Sequence, residues 1–211
     1  MTYTFNYEHY GELPDYQEVV LMSGSPRRRE LLEVVKPRVQ TLDIDELSIE
    51  SLYFEKYKKD SFLERVAKTC CEIAKAKSDV ECESQVLYIS ADTVVVHDNR
   101  ICHKPVDLKD AERMFRSYFG KVHAVVTAVA VRAKDYLDVF YTVAYVKFVD
   151  YASYLEEAID LYMASGSPMD KSGSYGIQEI DPMFVEWIEG DVHTIVGLPV
   201  AEVIKRIYKK E

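Results

Sequence analysis

The sequence predicts a mixed α/β fold, in which helices flank a β-sheet with both parallel and antiparallel strands. Short apolar runs typical of buried strands alternate with amphipathic segments typical of helices. Adjacent pairs of strand-like segments interrupt this alternation, and such pairs favour antiparallel neighbours over a purely parallel sheet. With 211 residues, of which 48% are hydrophobic, the chain can bury the core of one large domain or of two small lobes.

The N-terminal part is predicted to form a strand, a tight turn and a helix. The apolar run from Glu18 to Met22 indicates a buried strand. Ser25 suits the N-cap of the following helix, and Pro26 suits its first position, with Pro37 as the stop. A second strand is expected from Val39 to Leu42, and acidic residues follow it.

The middle of the chain is predicted to contain a long helix and two strand segments. Apolar residues recur with helical spacing from Ser61 to Glu83, and an interruption near Cys70 is allowed. A strand is then expected from Val86 to Ser90, with Asp92 at its end. The run from Val94 to Val96 continues as a strand into a turn.

Local signals also place the elements of the C-terminal half. Asp107 and Asp110 resemble an acidic capping pair, and Ser153 with Glu156 reads as a capping box. The predicted elements are a helix from Asp107 to Phe119, strands from Val122 to Val131 and from Leu137 to Val149, a helix from Ser153 to Met163, a strand from Phe184 to Ile188, and a helix that follows Pro199 and ends at Lys210.

Charge and hydropathy exclude two classes of protein. The formal net charge of −10 argues against a nucleic acid polymer as partner, because such proteins present a broad basic face. No apolar run reaches the roughly 20 residues of a membrane-spanning helix. The segment from Met1 to Gln17 is rich in tyrosine and unlike a signal peptide, so a cytoplasmic location is expected.

The four cysteines form neither a C-x-x-C metal knuckle nor a dense disulfide framework. They are therefore expected to be buried or partly buried thiols. A zinc site can be drawn from His97, Cys102 and His103, but no fourth ligand is evident.

A basic cluster at a predicted helix start is the strongest chemical signal. Arg27, Arg28 and an adjoining arginine occupy the first turn, where the helix dipole disfavours positive charge. With the hydroxyls of Ser23 and Ser25, they would form a cradle for phosphate. The alternative is a solvated basic run beside nearby glutamates.

Two carboxylates are candidate ligands of a divalent metal, Mg²⁺ or Mn²⁺. Asp92 follows an apolar strand, where α/β enzymes often place a metal ligand or general base, and Glu46 ends an acidic run. A capping role for Asp92 and a solvated loop position for Glu46 explain the same residues.

Two further segments contain polar residues suited to a nucleotide. Lys104 follows a short hairpin and could reach a phosphate, although surface lysines are common. The segment 171–179, here called the glycine loop, contains two glycines that allow close backbone approach, and Tyr175 and Gln178 could contact a base.

Five motifs taken in order resemble the Maf family, once called septum-formation inhibitors. They are Ser23-Gly-Ser-Pro-Arg-Arg28, Ala91-Asp-Thr-Val-Val95, Lys104-Pro105, Ser174-Tyr-Gly-Ile-Gln178 and Gly197-Leu-Pro199. The resemblance runs from about Val19 to Tyr208, so residues 1–17 are expected to be an extension and residues 18–211 a single catalytic domain. It implies a fold similar to the inosine-triphosphate pyrophosphatase group, a metal-dependent site in a cleft between two lobes, and often a homodimer.

The activity that the resemblance implies is hydrolysis of a nucleoside triphosphate between its α- and β-phosphates. The motifs are similar to the branch of the family that acts on dTTP, UTP and modified pyrimidine nucleotides. The roles it implies are Asp92 as base or metal ligand, Arg28 and Lys104 as phosphate binders, Arg27, Thr93 and Gln178 as selectors of the base, and Glu46 with Lys77 completing the site. Lys75, two residues earlier, is the alternative to Lys77.

The sequence departs from the family in the glycine loop. Ser172, Ser174 and Glu179 replace two alanines and a glycine, which predicts a shifted substrate range. Two other functions are weighed, a non-catalytic nucleotide-binding regulator of cell division and a phosphomonoesterase. The second lacks an evident Cys-x₅-Arg motif for a covalent nucleophile.

Overall fold

The structure, a computed structural model, describes residues 3–208 and confirms the predicted mixed α/β class. Its sheet contains eight strands among these residues, in the order β1-β7-β6-β4-β2-β3, with β5 paired to β4 and β8 paired to β7. The strands are β1 (Thr4–Tyr10), β2 (Glu18–Met22), β3 (Arg38–Gln40), β4 (Val86–His97), β5 (Arg100–Cys102), β6 (Val122–Ala133), β7 (Tyr136–Phe148) and β8 (Val185–Glu189). Strand β2 pairs parallel with β3 and β4, whereas β1 and β8 pair antiparallel with β7.

Seven α-helices accompany the sheet in the described part of the chain. They are α1 (Pro26–Leu31), α2 (Glu46–Lys56), α3 (Phe62–Lys77), α4 (Leu108–Ser117), α5 (Glu156–Ala164), α6 (Val192–Val196) and α7 (Val200–Ile207). None of these helices combines the length and the apolar character needed to cross a bilayer. The predicted end of the last helix, Lys210, lies outside the described residues.

The chain divides into two compact units. Within the described residues, the first contains 3–92, 127–142 and 197–208, and the second contains 93–126 and 143–196. The first unit has an aliphatic core to which Leu21, Ile89 and Val129 contribute fully buried side chains. Burial of one such side chain stabilises the fold by about 1.5–3 kcal/mol. The apolar runs of β2 and β4 therefore form paired strands in this core.

The second unit has an aromatic core. The ring of Phe115 on α4 makes edge-to-face contacts with Phe148 and Phe184, at centroid distances of 5.5 and 5.1 Å. Asp107 caps α4 by accepting from the backbone of Asp110, as its sequence predicts. Such aromatic pairs add about 0.5–1.5 kcal/mol each beyond the area that they bury.

The N-terminal extension contains a strand that the sequence analysis did not predict. Strand β1 pairs with β7, and it ends before Gly11, which has φ +75°. A Cβ at Gly11 would lie 2.1 Å from the backbone oxygen of Asp135, so only glycine fits there. Tyr7 on β1 donates to the buried carboxylate of Glu72 on α3, and its hydroxyl lies 2.6 Å from that of Tyr57. The extension therefore packs as part of the first unit.

Two helix predictions were wrong in detail, and helix α2 was not predicted. Helix α3 continues through Cys70 without interruption and ends at Lys77, because the Ser78 hydroxyl donates to the Lys75 carbonyl at 2.9 Å and closes the last turn. The capping box of Ser153 does not form. The carboxylate of Glu156 instead binds Arg116 through two bonds of 3.0 and 2.7 Å, and a 3₁₀ turn precedes α5. Helix α2 was missed because it buries no residue and so lacks an apolar stripe.

Candidate active site

The N-terminal cap of α1 positions the first arginines of this helix. The Ser25 side chain accepts from the backbone N–H of Arg28 at 3.5 Å, and Pro26 occupies the first turn. The guanidinium of Arg28 donates from Nη1 to Ser23 Oγ at 3.2 Å and from Nε to the Gly197 carbonyl at 2.8 Å. Because α1 has only six residues, the charge of the arginine side chains contributes more to this site than the helix dipole.

Asp92 lies within a strand, which corrects the prediction that it ends one. Strand β4 runs unbroken from Val86 to His97, because the β-branched residues from Thr93 to Val96 keep the backbone extended. The Asp92 side chain is buried, with 8% of the residue exposed. Its Oδ2 accepts from the Cys70 thiol at 3.2 Å. The carboxylate is therefore held within the first unit and is not a turn or cap residue.

Lys77, at the end of α3, bridges the two candidate metal ligands. Its Nζ lies 2.8 Å from Asp92 Oδ1 and 3.0 Å from Glu46 Oε1. The Lys77 side chain is 16% exposed, whereas Glu46 lies on the exposed start of α2. Lys75 binds Glu8 and Glu72 instead, each at 2.8 Å, because residues two apart on a helix face different directions. The structure thus places Lys77, and not Lys75, beside Asp92.

Burial and charge act in opposite directions on these groups. Burial raises the pKa of Asp92, but the charges of Lys77 and Arg28 and the bond from Lys77 outweigh it, so the pKa lies below its ordinary value. Burial lowers the pKa of Lys77, but the two carboxylates outweigh it and raise the pKa above its ordinary value. Burial dominates for Arg28, whose pKa is lowered although Asp92 partly offsets the effect. Burial, followed by the charge of Asp92, raises the pKa of the Cys70 thiol well above normal.

Asp92 and Glu46 are the two carboxylates of the site that could contribute to holding a metal ion. The described residues contain no group of three or more histidine, cysteine or acidic side chains arranged to hold a metal, and this includes the set of His97, Cys102 and His103. However, Asp92 and Glu46 both contact the same cationic group, the ammonium of Lys77. Magnesium usually binds through one or two carboxylates plus substrate phosphates. Two carboxylates on one side of the site match that ligand number, with the remaining ligands to come from phosphate oxygens and water.

Three of the predicted site residues belong to the second unit. Thr93 is half-buried on β4, Lys104 is exposed after β5, and Gln178 is exposed in the glycine loop. In the first unit, Arg27 is half-buried on α1, the Arg28 guanidinium binds Ser23, and Lys77 separately binds Asp92 and Glu46.

Cys70 is the site contact that the sequence analysis missed. It was interpreted as a buried thiol without a role at the site, yet it donates to Asp92. Cys70 precedes Lys77 by seven residues on α3, which places both on one helix face. That spacing was visible in the sequence and could have indicated Cys70 once Lys77 was a candidate.

Ser174 and Glu179, two residues of the glycine loop that depart from the family pattern, form a hydrogen bond and an ion pair in the structure. The Ser174 hydroxyl donates to the Ala111 carbonyl at 2.9 Å, and its backbone adopts φ +60°. Glu179 Oε2 lies 2.7 Å from Lys171 Nζ, so an ion pair joins the two ends of the loop. The Tyr118 hydroxyl donates to the Gly173 carbonyl at 3.0 Å. Two of the three departures, Ser174 and Glu179, thus bind neighbouring residues and hold the loop in place.

Comparison with known proteins gives one consistent result. The family model described as Maf-like protein matches residues 18–210. A protein of Bacillus cytotoxicus named dTTP/UTP pyrophosphatase is 35% identical over 191 residues, which cover 90% of this chain and 94% of that protein. Proteins with the same name from Bacillus mycoides and Bacillus cereus are 36% and 35% identical over the same shares of both chains.

Proposed function

The chain belongs to the Maf family, and on that basis we propose that it hydrolyses nucleoside triphosphates, UTP and dTTP above all, to the monophosphate and pyrophosphate. The observation that carries this proposal is the buried carboxylate of Asp92, which Lys77 joins to Glu46 at 2.8 and 3.0 Å. A cationic group between two carboxylates, with the Arg28 guanidinium also held in the same unit, provides the charges that phosphoryl chemistry requires.

In this proposal the charged residues act on the phosphates. Lys77, Arg28 and Lys104 offset the negative charge that develops during cleavage of the α–β bond, and Ser23 and Ser25 support the phosphate-binding segment. Asp92 accepts bonds from Lys77 and Cys70, which fix one orientation of its carboxylate. That fixed orientation suits a residue that positions either the attacking water or a metal ion.

The selectors of the base are proposed to be Arg27, Thr93 and Gln178. Gln178 offers an amide with both a donor and an acceptor, which can match the paired carbonyl and N–H of a uracil or thymine ring. Its exposed position in the glycine loop leaves that amide accessible.

Asp92 and Glu46 would hold Mg²⁺ or Mn²⁺ together with the nucleotide. When bound, such an ion neutralises phosphate charge and orients the triphosphate. We further propose that residues 18–211 act as one catalytic domain that forms a homodimer in the cytoplasm. The domain and the homodimer rest on the family resemblance, and the location is the expectation from the sequence.

Product analysis tests the proposed function. The purified protein is incubated with Mg²⁺ and UTP, dTTP, CTP, GTP, ATP or 7-methyl-GTP, and pyrophosphate and orthophosphate are assayed separately. We expect pyrophosphate from UTP and dTTP, with label from H₂¹⁸O in the nucleoside monophosphate, because water attacks the α-phosphorus. Orthophosphate as the first product, or tight binding of all six nucleotides without turnover, would contradict the proposal.

A further inference from the structure

A buried hydrogen bond connects the glycine loop to the sheet. His123 on β6 is 2% exposed, and its Nε2 lies 2.7 Å from the hydroxyl of Tyr175, which is 5% exposed. The other described bonds of this loop that reach outside it end on helices or on a connecting segment. These partners include Ala111 on α4, Tyr118 after α4, Tyr162 on α5, the carbonyl of His103, and Ser167, Pro168 and Asp170 in the 3₁₀ turn before the loop. His123 therefore connects a long strand to the loop by a buried side-chain hydrogen bond.

Burial of the His123 imidazole carries a cost in free energy. Its Nδ1 has no hydrogen-bond partner among the described residues, and a buried polar atom without a partner costs about 1–3 kcal/mol. The ring packs against aromatic neighbours, at 4.2 Å from the Tyr118 centroid and 5.4 Å from that of Phe148. A phenylalanine would satisfy this packing without the cost, so packing alone does not explain a histidine here.

We propose that His123 is a positioning residue for nucleotide selection, and that it acts through Tyr175 on Gln178 three residues further along the loop. The bond to Nε2 fixes the Tyr175 ring, and the ion pair of Lys171 with Glu179 fixes the loop ends. Gln178 therefore belongs to a loop that is fixed at Tyr175 and at its two ends. This inference rests on the proposed function, since it assigns selectivity to the same site.

The test compares two conservative variants and their combination. Tyr175→Phe removes only the hydroxyl, and His123→Phe removes only the polar ring atoms. The measured quantity is the ratio of kcat/KM for UTP to kcat/KM for CTP. We expect each variant to lower this ratio about tenfold, which corresponds to the loss of one hydrogen bond. The double variant should lower it no further, because both changes remove the same bond.

Two further variants separate positioning from stability. His123→Gln retains an acceptor that can reach Tyr175, so it should restore most of the selectivity. His97→Phe is the matched control, because His97 is also buried but binds the Ser117 carbonyl, at 3.0 Å, and not the loop. It should change the melting temperature without changing the substrate ratio.

The measurements distinguish a failure of the positioning role of His123 from a failure of the proposed function. A folded Tyr175→Phe protein with an unchanged ratio overturns the inference, as does a His97→Phe protein that loses selectivity to the same extent. A wild-type protein that releases no pyrophosphate from either nucleotide overturns the proposed function itself. A reduced ratio in both single variants, no further loss in the double variant and recovery in His123→Gln would together support the positioning role.

Discussion

Lys77 at the end of α3 donates to Asp92 in the middle of β4, with Nζ 2.8 Å from Oδ1. Asp92 is buried, so the ammonium of Lys77 offsets much of the cost of a charge inside the first unit. The same ammonium lies 3.0 Å from Glu46 on α2. Lys77 thus links α2, α3 and β4 through one cluster of charged side chains.

Lys77→Met should lower the pyrophosphatase rate at least a hundredfold, because one cation that stabilises developing phosphate charge is lost. It should also lower the free energy of unfolding by about 2 kcal/mol, since Asp92 keeps its charge in a buried position. Lys75→Met is the matched control, because Lys75 binds Glu8 and Glu72. Steady-state kinetics and urea unfolding measure both effects. Equal activity losses in the two variants would contradict the assignment of Lys77.

Cys70→Ala should lower kcat by about threefold to tenfold, because Asp92 loses a hydrogen-bond donor at 3.2 Å and its carboxylate gains orientational freedom. Cys70→Ser keeps a donor and should retain more of the rate. Cys71→Ala is the control, since Cys71 is also fully buried on α3 and makes no described hydrogen bond to Asp92. If Cys71→Ala reduces kcat as much as Cys70→Ala, the effect comes from packing and not from the bond.

Tyr7→Phe should lower the free energy of unfolding by about 1.5–3 kcal/mol, because the buried carboxylate of Glu72 loses a donor. Urea unfolding at neutral pH measures the change. Tyr10→Phe is the control on the same strand, because Tyr10 is 47% exposed. An unchanged stability of Tyr7→Phe would show that the extension does not brace α3.

His123 should make stability depend on pH. Burial, followed by the charge of nearby His97, lowers the pKa of His123 to about 3 in the folded protein, against an ordinary value near 6.5. Below pH 6.5 the imidazole is therefore protonated in the unfolded chain but still neutral in the folded protein. The free energy of unfolding falls as the pH decreases from 6.5 toward 3. Between pH 7 and pH 5, protonation of His123 in the unfolded chain should lower the free energy of unfolding by about 2 kcal/mol.

The measurement is urea unfolding of wild type and His123→Gln at pH 7 and pH 5. The variant lacks the titrating ring, so it should lose less stability over this interval by about the same 2 kcal/mol. Parallel losses in the two proteins would mean that His123 takes up its proton in the folded state.

Sequence signals identified the elements that have local causes. The strand Glu18–Met22 is a continuous apolar run, and the helix starts at Ser25 and Asp107 carry caps that form as predicted. Asp92, Glu46 and Arg28 were likewise chosen from their local surroundings, and the structure brings them into one unit. Their roles in catalysis remain predictions.

Other features depend on tertiary structure and could not be read from the sequence. The choice between Lys75 and Lys77 depends on how α3 is rotated against β4, which no local pattern specifies. The capping box of Ser153 was lost because Arg116, distant in sequence, binds Glu156. Helix α2 has no buried face, so its sequence lacks the periodicity that reveals a helix.

The most direct test of the account is pyrophosphate release from UTP, in the presence of Mg²⁺, by Asp92→Asn beside the wild type. The asparagine has nearly the same shape but no charge, so the fold and the binding of UTP should be retained. We predict that the wild type releases pyrophosphate and that the variant does so at least a hundredfold more slowly. A variant that folds, binds UTP and works near the wild-type rate would contradict the assignment of the active site to Asp92.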